Sequence, residues 1–467
     1  MTWGPAIGVV IAATTGHLVL AGLSPARVAW ALRVVRAALA LLIGISLHSL
    51  WHFVWVAGIA GRGLDAGFLL YDLALPITAS VVVIAIRRRA TRTRGAASRS
   101  ETPDIRVAPR RRANLLLATS ILACGIAVAF AANLAAVQPD GGWDAWAIWN
   151  FKARWLFRGG SSWSEILTNP IFTTSHPDYP LLLPLSVSRL WTMAGGVPLG
   201  VPQAFGVGAA AVAATLLVGA TRTLCGPVSA AVAGAGLLVL PPFLAASATQ
   251  LADVPLACCY LATLVALAVG AHGAPGRWFA LAGLSAGAAM WTKNEGVLFF
   301  VCAIACQIAT APLSGAGWRE ARRRIGEFVA GASPFVIATF VLRSMALPND
   351  LLAGQSLAMS WGRFATPARH AEILGYGVTL LRTQPDTLGV IGLAGYLVLR
   401  GARPDLRAGL LALSTLVLTA CGYYVIYVVT PNELSWHLDT SADRLAVQLW
   451  PSLVFTALLL TRDEQSS

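Results

Sequence analysis

The chain has 467 residues, 57% of them hydrophobic and 12% charged, with a mean hydropathy of +0.68. A soluble globular protein of that length needs far more polar surface, so that class is excluded. The formal charge of +13 does not imply a nucleic-acid partner, because the basic residues lie in short stretches between apolar runs, as the positive-inside rule expects. Apolar runs of about 17–22 residues recur along the chain, which is the length a bilayer core demands. The composition predicts an all-α polytopic membrane protein with about 13 transmembrane helices and surface-lying helices in its first large external loop.

The first four spans fall at about 5–22, 38–59, 66–86 and 114–137 with a ~20-residue window. The run Gly4–Leu23 lacks a basic n-region and reads as a span rather than a cleaved signal. Arg87–Arg112 holds ten Arg against Glu101 and Asp104. It reads as a cytoplasmic loop attracted to anionic membrane lipids. It divides the chain into an N-terminal accessory unit (1–86), the basic loop (87–112) and a main module (113–467) whose external loop is 138–180. His48, His52 and Asp72 lie inside spans and should face other helices, since each is expensive in lipid. The seven Cys (124, 225, 258, 259, 302, 306, 421) sit in apolar runs or at their ends and form no CxxC pair, as packing thiols do.

Segment 181–196 is short, is broken by Pro184 and carries Arg189, so a re-entrant or interfacial course is expected. Later spans fall near 201–220, 227–246, 254–271, 278–292, 296–312, 326–343, 386–400, 408–429 and 445–461. Placing the basic stretches 318–324 and 400–407 in the cytoplasm, and counting back through 272–277 and 221–227, gives an external N-terminus and a cytoplasmic C-terminus. The polar islands Trp143-Asp144, His176–Tyr179, Asp253, Lys293–Glu295 and Asn432–Arg444 then all arrive on the extracytoplasmic face, and converging loops of that kind build sites.

Asp144 follows the Gly141-Gly142 turn and should begin a helix over Ala145–Phe157, whose dipole favours a carboxylate there. At ~100° per residue, Lys152 and Arg154 flank its meridian. The same residues fit an N-cap acid on an interfacial helix, with Trp143, Trp146, Trp149, Trp155 and Trp163 as an aromatic belt. Only two of the 34 basic residues are Lys, at 152 and 293, and both fall in external islands against the charge trend. Lys suits phosphate as a compact point charge. His176 and Asp178 lie in a turn stiffened by Pro177 and Pro180. Asp253 precedes Pro255 at a span start, where N-capping would also explain it. Lys293 and Glu295 share a tight polar turn, and His437 and Arg444, seven residues apart, share a helix face. There is no metal signature such as HExxH, and no cofactor is expected. Asp144 and Asp253 could share a divalent cation, but no third carboxylate is evident.

At these residues the chain resembles the multi-spanning GT-C glycosyltransferases, in the bacterial branch near dolichyl-phosphate-mannose protein mannosyltransferases and the lipid A aminoarabinose transferase. Trp143-Asp144 matches the family's acid in the first external loop, and His176-Pro177 matches the turn into the next apolar segment. Asp253 in LADVP matches an acid at a later span start, and Thr292-Lys293, with Asn294-Glu295 before Gly296, matches loosely a Thr-Lys-Gly turn. The family often has a second acid beside the first; here Ala145 stands there. The resemblance covers about 114–311 and the C-terminal spans and leaves the first three spans outside. It implies an enzyme of the bacterial cytoplasmic membrane that moves a sugar, with inversion, from a polyprenyl-phosphate-sugar donor to an envelope glycan, lipid or protein acceptor. Asp144 would be the general base. Lys152, Arg154 and Lys293 would stabilise the departing phosphate. The competing expectation is a transporter or flippase for a lipid-linked sugar, which would use the same Trp, Arg and His residues without breaking a bond.

Overall fold

A computed structural model describes residues 3–24, 30–59, 66–93, 111–274, 276–314, 317–349, 351, 353–383, 387–402 and 407–461. Residues 94–110 of the basic loop lie outside the described residues, as do Pro275 and residues 403–406 of two other stretches used to orient the chain. The described chain is helical throughout, and it is a multi-pass membrane protein.

Three helices open the chain: α1 (Gly4–Leu23), α2 (Trp30–Ile59) and α3 (Ala66–Thr93). Between helices in lipid there is little hydrophobic drive, so association rests on close backbone approach and buried polar contacts. Both occur here. A Cβ on Gly16 would stand 1.8 Å from Ala40 O, and one on Gly44 would stand 1.8 Å from Ala12 O, so α1 and α2 touch backbone to backbone. Trp51 and Tyr71 join α2 to α3 by two hydrogen bonds, each side chain donating to the other's carbonyl at 2.8 Å.

After α4 (Arg111–Val137), the long connecting segment folds as a wide π-helical turn (Ala145–Trp149), α5 (Asn150–Arg158), α6 (Glu165–Thr168) and a 3-10 turn (Pro170–Ser175). Then comes α7 (Leu182–Ala194). At 13 residues it is about 20 Å long. That is too short to cross, and it is buried along nearly all its length. The expected non-crossing course of 181–196 is therefore that of a helix sunk among α1, α2, α5 and α8 (Gly200–Leu224).

α9 (Pro227–Leu238) and α10 (Pro241–Ala248) meet at a 64° bend where two prolines end the helix. α11 (Asp253–Ala271) is the axis of the bundle, buried from Asp253 to Val269. Its sequence is apolar all round, which is the pattern of a helix surrounded by others. α8, α10, α12 (Trp278–Thr292), α13 (Asn294–Thr310), α18 (Arg407–Val429) and α19 (Leu434–Leu459) pack around it. α14 (Gly317–Met345) closes on α12, and α15 (Leu357–Phe364), α16 (Pro367–Thr383) and α17 (Thr387–Arg400) stand outermost.

Among the described residues, eight helices are long and apolar enough to span a membrane, or nine with the bent pair. The expected thirteen exceed this because α12, α13 and α17 have only 15, 17 and 14 residues. α19 spends its first turns on Asp439, Asp443 and Arg444.

Candidate active site

Asp253, fully buried, opens α11, and four side chains converge on it and its neighbourhood. Lys293 Nζ donates to Oδ1 at 3.0 Å, Gln448 Nε2 to Oδ1 at 2.6 Å, and Arg444 Nε and Nη2 to Oδ2 at 3.0 Å each. Arg444 and Gln448 are four apart on α19 and so share a face. Lys293 lies in the extended break between α12 and α13, and its Nζ also pairs with the fourth side chain, Glu295, at 2.7 Å. A fully buried carboxylate would be prohibitive without such partners.

The loop before α11 places Asp144. Gly142 N donates to Thr249 O at 2.9 Å. Gln250 takes a positive φ of 60°, and its amide bonds Pro139 O (3.1 Å) and Asn150 Nδ2 (2.8 Å). Gly141, at φ 76°, has no room for a Cβ against Thr249 O. The turn that carries Asp144 is thus bolted to the α10–α11 connection, and Arg444 Nη2 reaches Asp144 Oδ2 at 2.8 Å. Asp144 and Arg444 are half-buried, each about one-fifth exposed, so the chain of charges opens to the surface at this end.

The turn at 176–180 joins from the other side. Asp178 Oδ2 accepts from Asn294 Nδ2 and Asn349 Nδ2, both at 2.6 Å, and Arg343 Nη2 donates to Asn294 Oδ1 at 2.9 Å. The structure therefore brings together Asp144, Asp178, Asp253, Lys293, Glu295 and Arg444, residues from five separate stretches.

The other expected residues make their contacts with different partners. Lys152 and Arg154, expected to flank Asp144, are each engaged by other groups. The π-helical turn at 145–149 shifts the phase of α5 by about one residue. Lys152 is wholly buried, and its Nζ donates to His176 O (2.5 Å) and Tyr179 O (3.4 Å), 5.9 Å from the centroid of the Tyr179 ring. Burial pushes its amine down to about 7, with the nearby Asp178 opposing the shift. Arg154 pairs with Asp140 at 2.9 Å. His176, in the left-handed region at φ 51°, stacks on Tyr179. His437 Nδ1 meets Thr430 Oγ1 at 3.1 Å, edge-on to Tyr427, two turns before Arg444. Trp143 and Trp146 are exposed beside Asp144, whereas Trp149 and Trp163 are buried.

Sequence reasoning missed several partners. Gln448 sits in the apolar run AVQLW, where an uncharged amide invites attention only once Arg444 is placed. Behind it, Tyr423 OH donates to Gln448 Oε1 at 2.8 Å, and Tyr260 and Tyr423 hydroxyls are 3.1 Å apart. Arg343 was detectable as an Arg at the end of α14 opposite the basic stretch 318–324. Among the described residues no three His, Cys, Asp or Glu side chains form a metal-ready group, and Arg444 lies between the two carboxylates that could have shared a cation.

No curated protein and no solved structure matches the chain. Residues 196–341 do match a family model. The match takes in Asp253, Lys293 and Glu295 and leaves Asp144 and Arg444 outside. The family is described as dolichyl-phosphate-mannose-protein mannosyltransferase, and it is to these membrane glycosyltransferases that residues 196–341 are similar.

Proposed function

We propose that the protein transfers a sugar from a polyprenyl-phosphate-linked donor to a hydroxyl acceptor at the extracytoplasmic face of a bacterial cytoplasmic membrane, with inversion. The observation that carries this reading is the continuous chain Asp144–Arg444–Asp253–Lys293–Glu295, open to the surface at Asp144 and sealed at Asp253. A half-buried carboxylate held by a guanidinium is kept in place at the surface, where an acceptor hydroxyl can reach it. The acceptor hydroxyl oxygen attacks the anomeric carbon, and its proton passes to Asp144. The bond from that carbon to the phosphate oxygen breaks, and the polyprenyl phosphate leaves with the electron pair.

The leaving group needs a cation not already committed to a carboxylate. Arg444 and Lys293 are each matched by two acids. Arg343 is exposed, and its hydrogen bond among the described residues goes to the Asn294 amide. We assign Arg343 to the donor phosphate, with Lys293 supporting the field from behind. Trp143 and Trp146, exposed next to Asp144, offer faces on which a sugar can stack. Asp178 shapes this rim through Asn294. With a guanidinium already between the carboxylates, the step is written without a metal, and transfer should persist after chelation.

The test is reconstitution in vesicles with a labelled polyprenyl-phosphate-sugar and a mixture of glycan, lipid and protein acceptors. A new glycosidic product that needs Asp144 supports the enzyme. Label carried across the vesicle membrane with no new bond would instead mark a transporter.

A further inference from the structure

The first three helices lie outside the family match, yet α2 touches the backs of two site-forming turns. Ser49, fully buried on α2, makes two hydrogen bonds. Its hydroxyl donates to Leu182 O at 3.1 Å, two residues past the 176–180 turn, and accepts from Trp291 Nε1 at 3.1 Å, two residues before Lys293. One turn on, Phe53 packs edge-on against Trp291 and Trp163. The same unit grips α7 along its length. Arg189 Nε and Nη2 donate to Asp72 Oδ1 and Oδ2 on α3 at 2.7 Å, Arg189 Nη1 donates to Gly8 O on α1 at 3.1 Å, and His52 Nε2 is 3.3 Å from Ser188 Oγ.

We infer that Ser49 is a positioning residue for the active site, fixing the spacing between the turn that carries Asp178 and the turn that carries Lys293. A hydroxyl that donates to the start of α7 and accepts from the end of α12 sets the separation of those helix ends, each two residues from its turn, to within a few tenths of an ångström, the tolerance of two hydrogen bonds. Those turns already meet through Asp178 and Asn294 on the solvent side. Ser49 closes the same loop from within the bundle, so the two turns are held at both ends. The Arg189–Asp72 pair seats α7 for this contact, but breaking a buried ion pair endangers folding, so Ser49 is the residue to test.

The kinetic arm rests on the transferase reading, and the exchange arm does not. Full-length Ser49→Ala, Trp291→Phe and the double variant are reconstituted, and amide hydrogen exchange is read alongside transfer from the labelled polyprenyl-phosphate-sugar. Ser49→Ala should raise exchange at least tenfold in both 178–182 and 292–296, whereas Trp291→Phe should raise it only in 292–296. Ser49→Ala should lower kcat about tenfold at unchanged KM, and the double variant should be no slower than Ser49→Ala, since both changes remove the same bond. Unchanged exchange at the two turns, exchange raised evenly through the bundle, or additive losses in the double variant would each overturn the inference. Absence of transfer by the wild-type protein would count against the enzyme reading and leave the exchange result to decide this one.

Discussion

Arg444 binds Asp253 through two nitrogens, Nε and Nη2, each 3.0 Å from Oδ2, although 191 residues separate them. The guanidinium fork allows this while the same Nη2 reaches Asp144, 2.8 Å away. A Lys at 444 has one nitrogen where Arg444 uses two, so it could not reproduce the Nε and Nη2 pair to Asp253 while also reaching Asp144. Arg444 thus locks α19 onto α11 and aims the half-buried Asp144 carboxylate outward.

Replacing Arg444 tests that double duty. Arg444→Lys should retain fold and membrane insertion, yet lose transfer by about a hundredfold, the scale of a displaced catalytic group. Arg444→Leu should in addition destabilise the bundle by about 3 kcal/mol, because the buried Asp253 loses a partner. Thermal unfolding in detergent separates the two effects. Equal loss of stability in both variants would show that the guanidinium fork, and not the charge, holds Asp253 in place.

Asp144→Asn removes the proton acceptor while leaving an oxygen within reach of Arg444. We expect normal yield and kcat lower by about 10²–10⁴-fold, the range for loss of a general base. KM for the donor should hardly move. Transfer that survives the substitution would reassign the base.

The meeting of the islands was legible because charge parity decides which turns share an end of the bundle, and the Asp253, Lys293 and Arg444 islands all reached it. What failed was local geometry. A helical wheel assumes unbroken α-spacing from Asp144, and the π-helical turn breaks that spacing. Composition marked Lys152 as an unusual cation but could not say that the 176–180 turn folds back over it and offers two carbonyls. Arg343 escaped notice because it closes an apolar run, and only the observed contact with Asn294 places it beside the site. Helix count is open to a similar ambiguity: eight or nine helices among the described residues meet the length of a span, against the thirteen expected. Apolar stretches buried inside protein and those that face lipid look alike in sequence, as the fully buried, 15-residue α12 shows.

Arg343→Ala should lower kcat at least tenfold and raise the donor KM less, as expected when a cation that meets the charge developing on the departing phosphate is lost. Arg343→Lys should recover part of the binding, because a point charge still attracts the phosphate. The effect should weaken with salt, since Arg343 is exposed. Kinetics at two ionic strengths would check all three, and kcat and KM both unchanged in Arg343→Ala would move Arg343 out of the donor site.

Lys152 gives the chain a pH signature that can be read without substrate. Burial brings its amine down to about 7, whereas in an unfolded chain it keeps its ordinary, much higher value. Below about 7 both states hold the proton and the dependence is flat. From about 7 upward the unfolded state holds a proton that the folded state has released, so stability rises with pH until the unfolded amine also titrates. Lys152→Met should lose this rise, and it should also loosen the 176–180 turn by removing the donor to His176 O and Tyr179 O. The measurement is the difference in unfolding midpoint between wild type and Lys152→Met from pH 6 to pH 9.5. A gap that shifts in favour of the wild type across that interval supports a buried, deprotonating lysine. A constant gap would mean that Lys152 keeps its proton and reaches solvent or an acid.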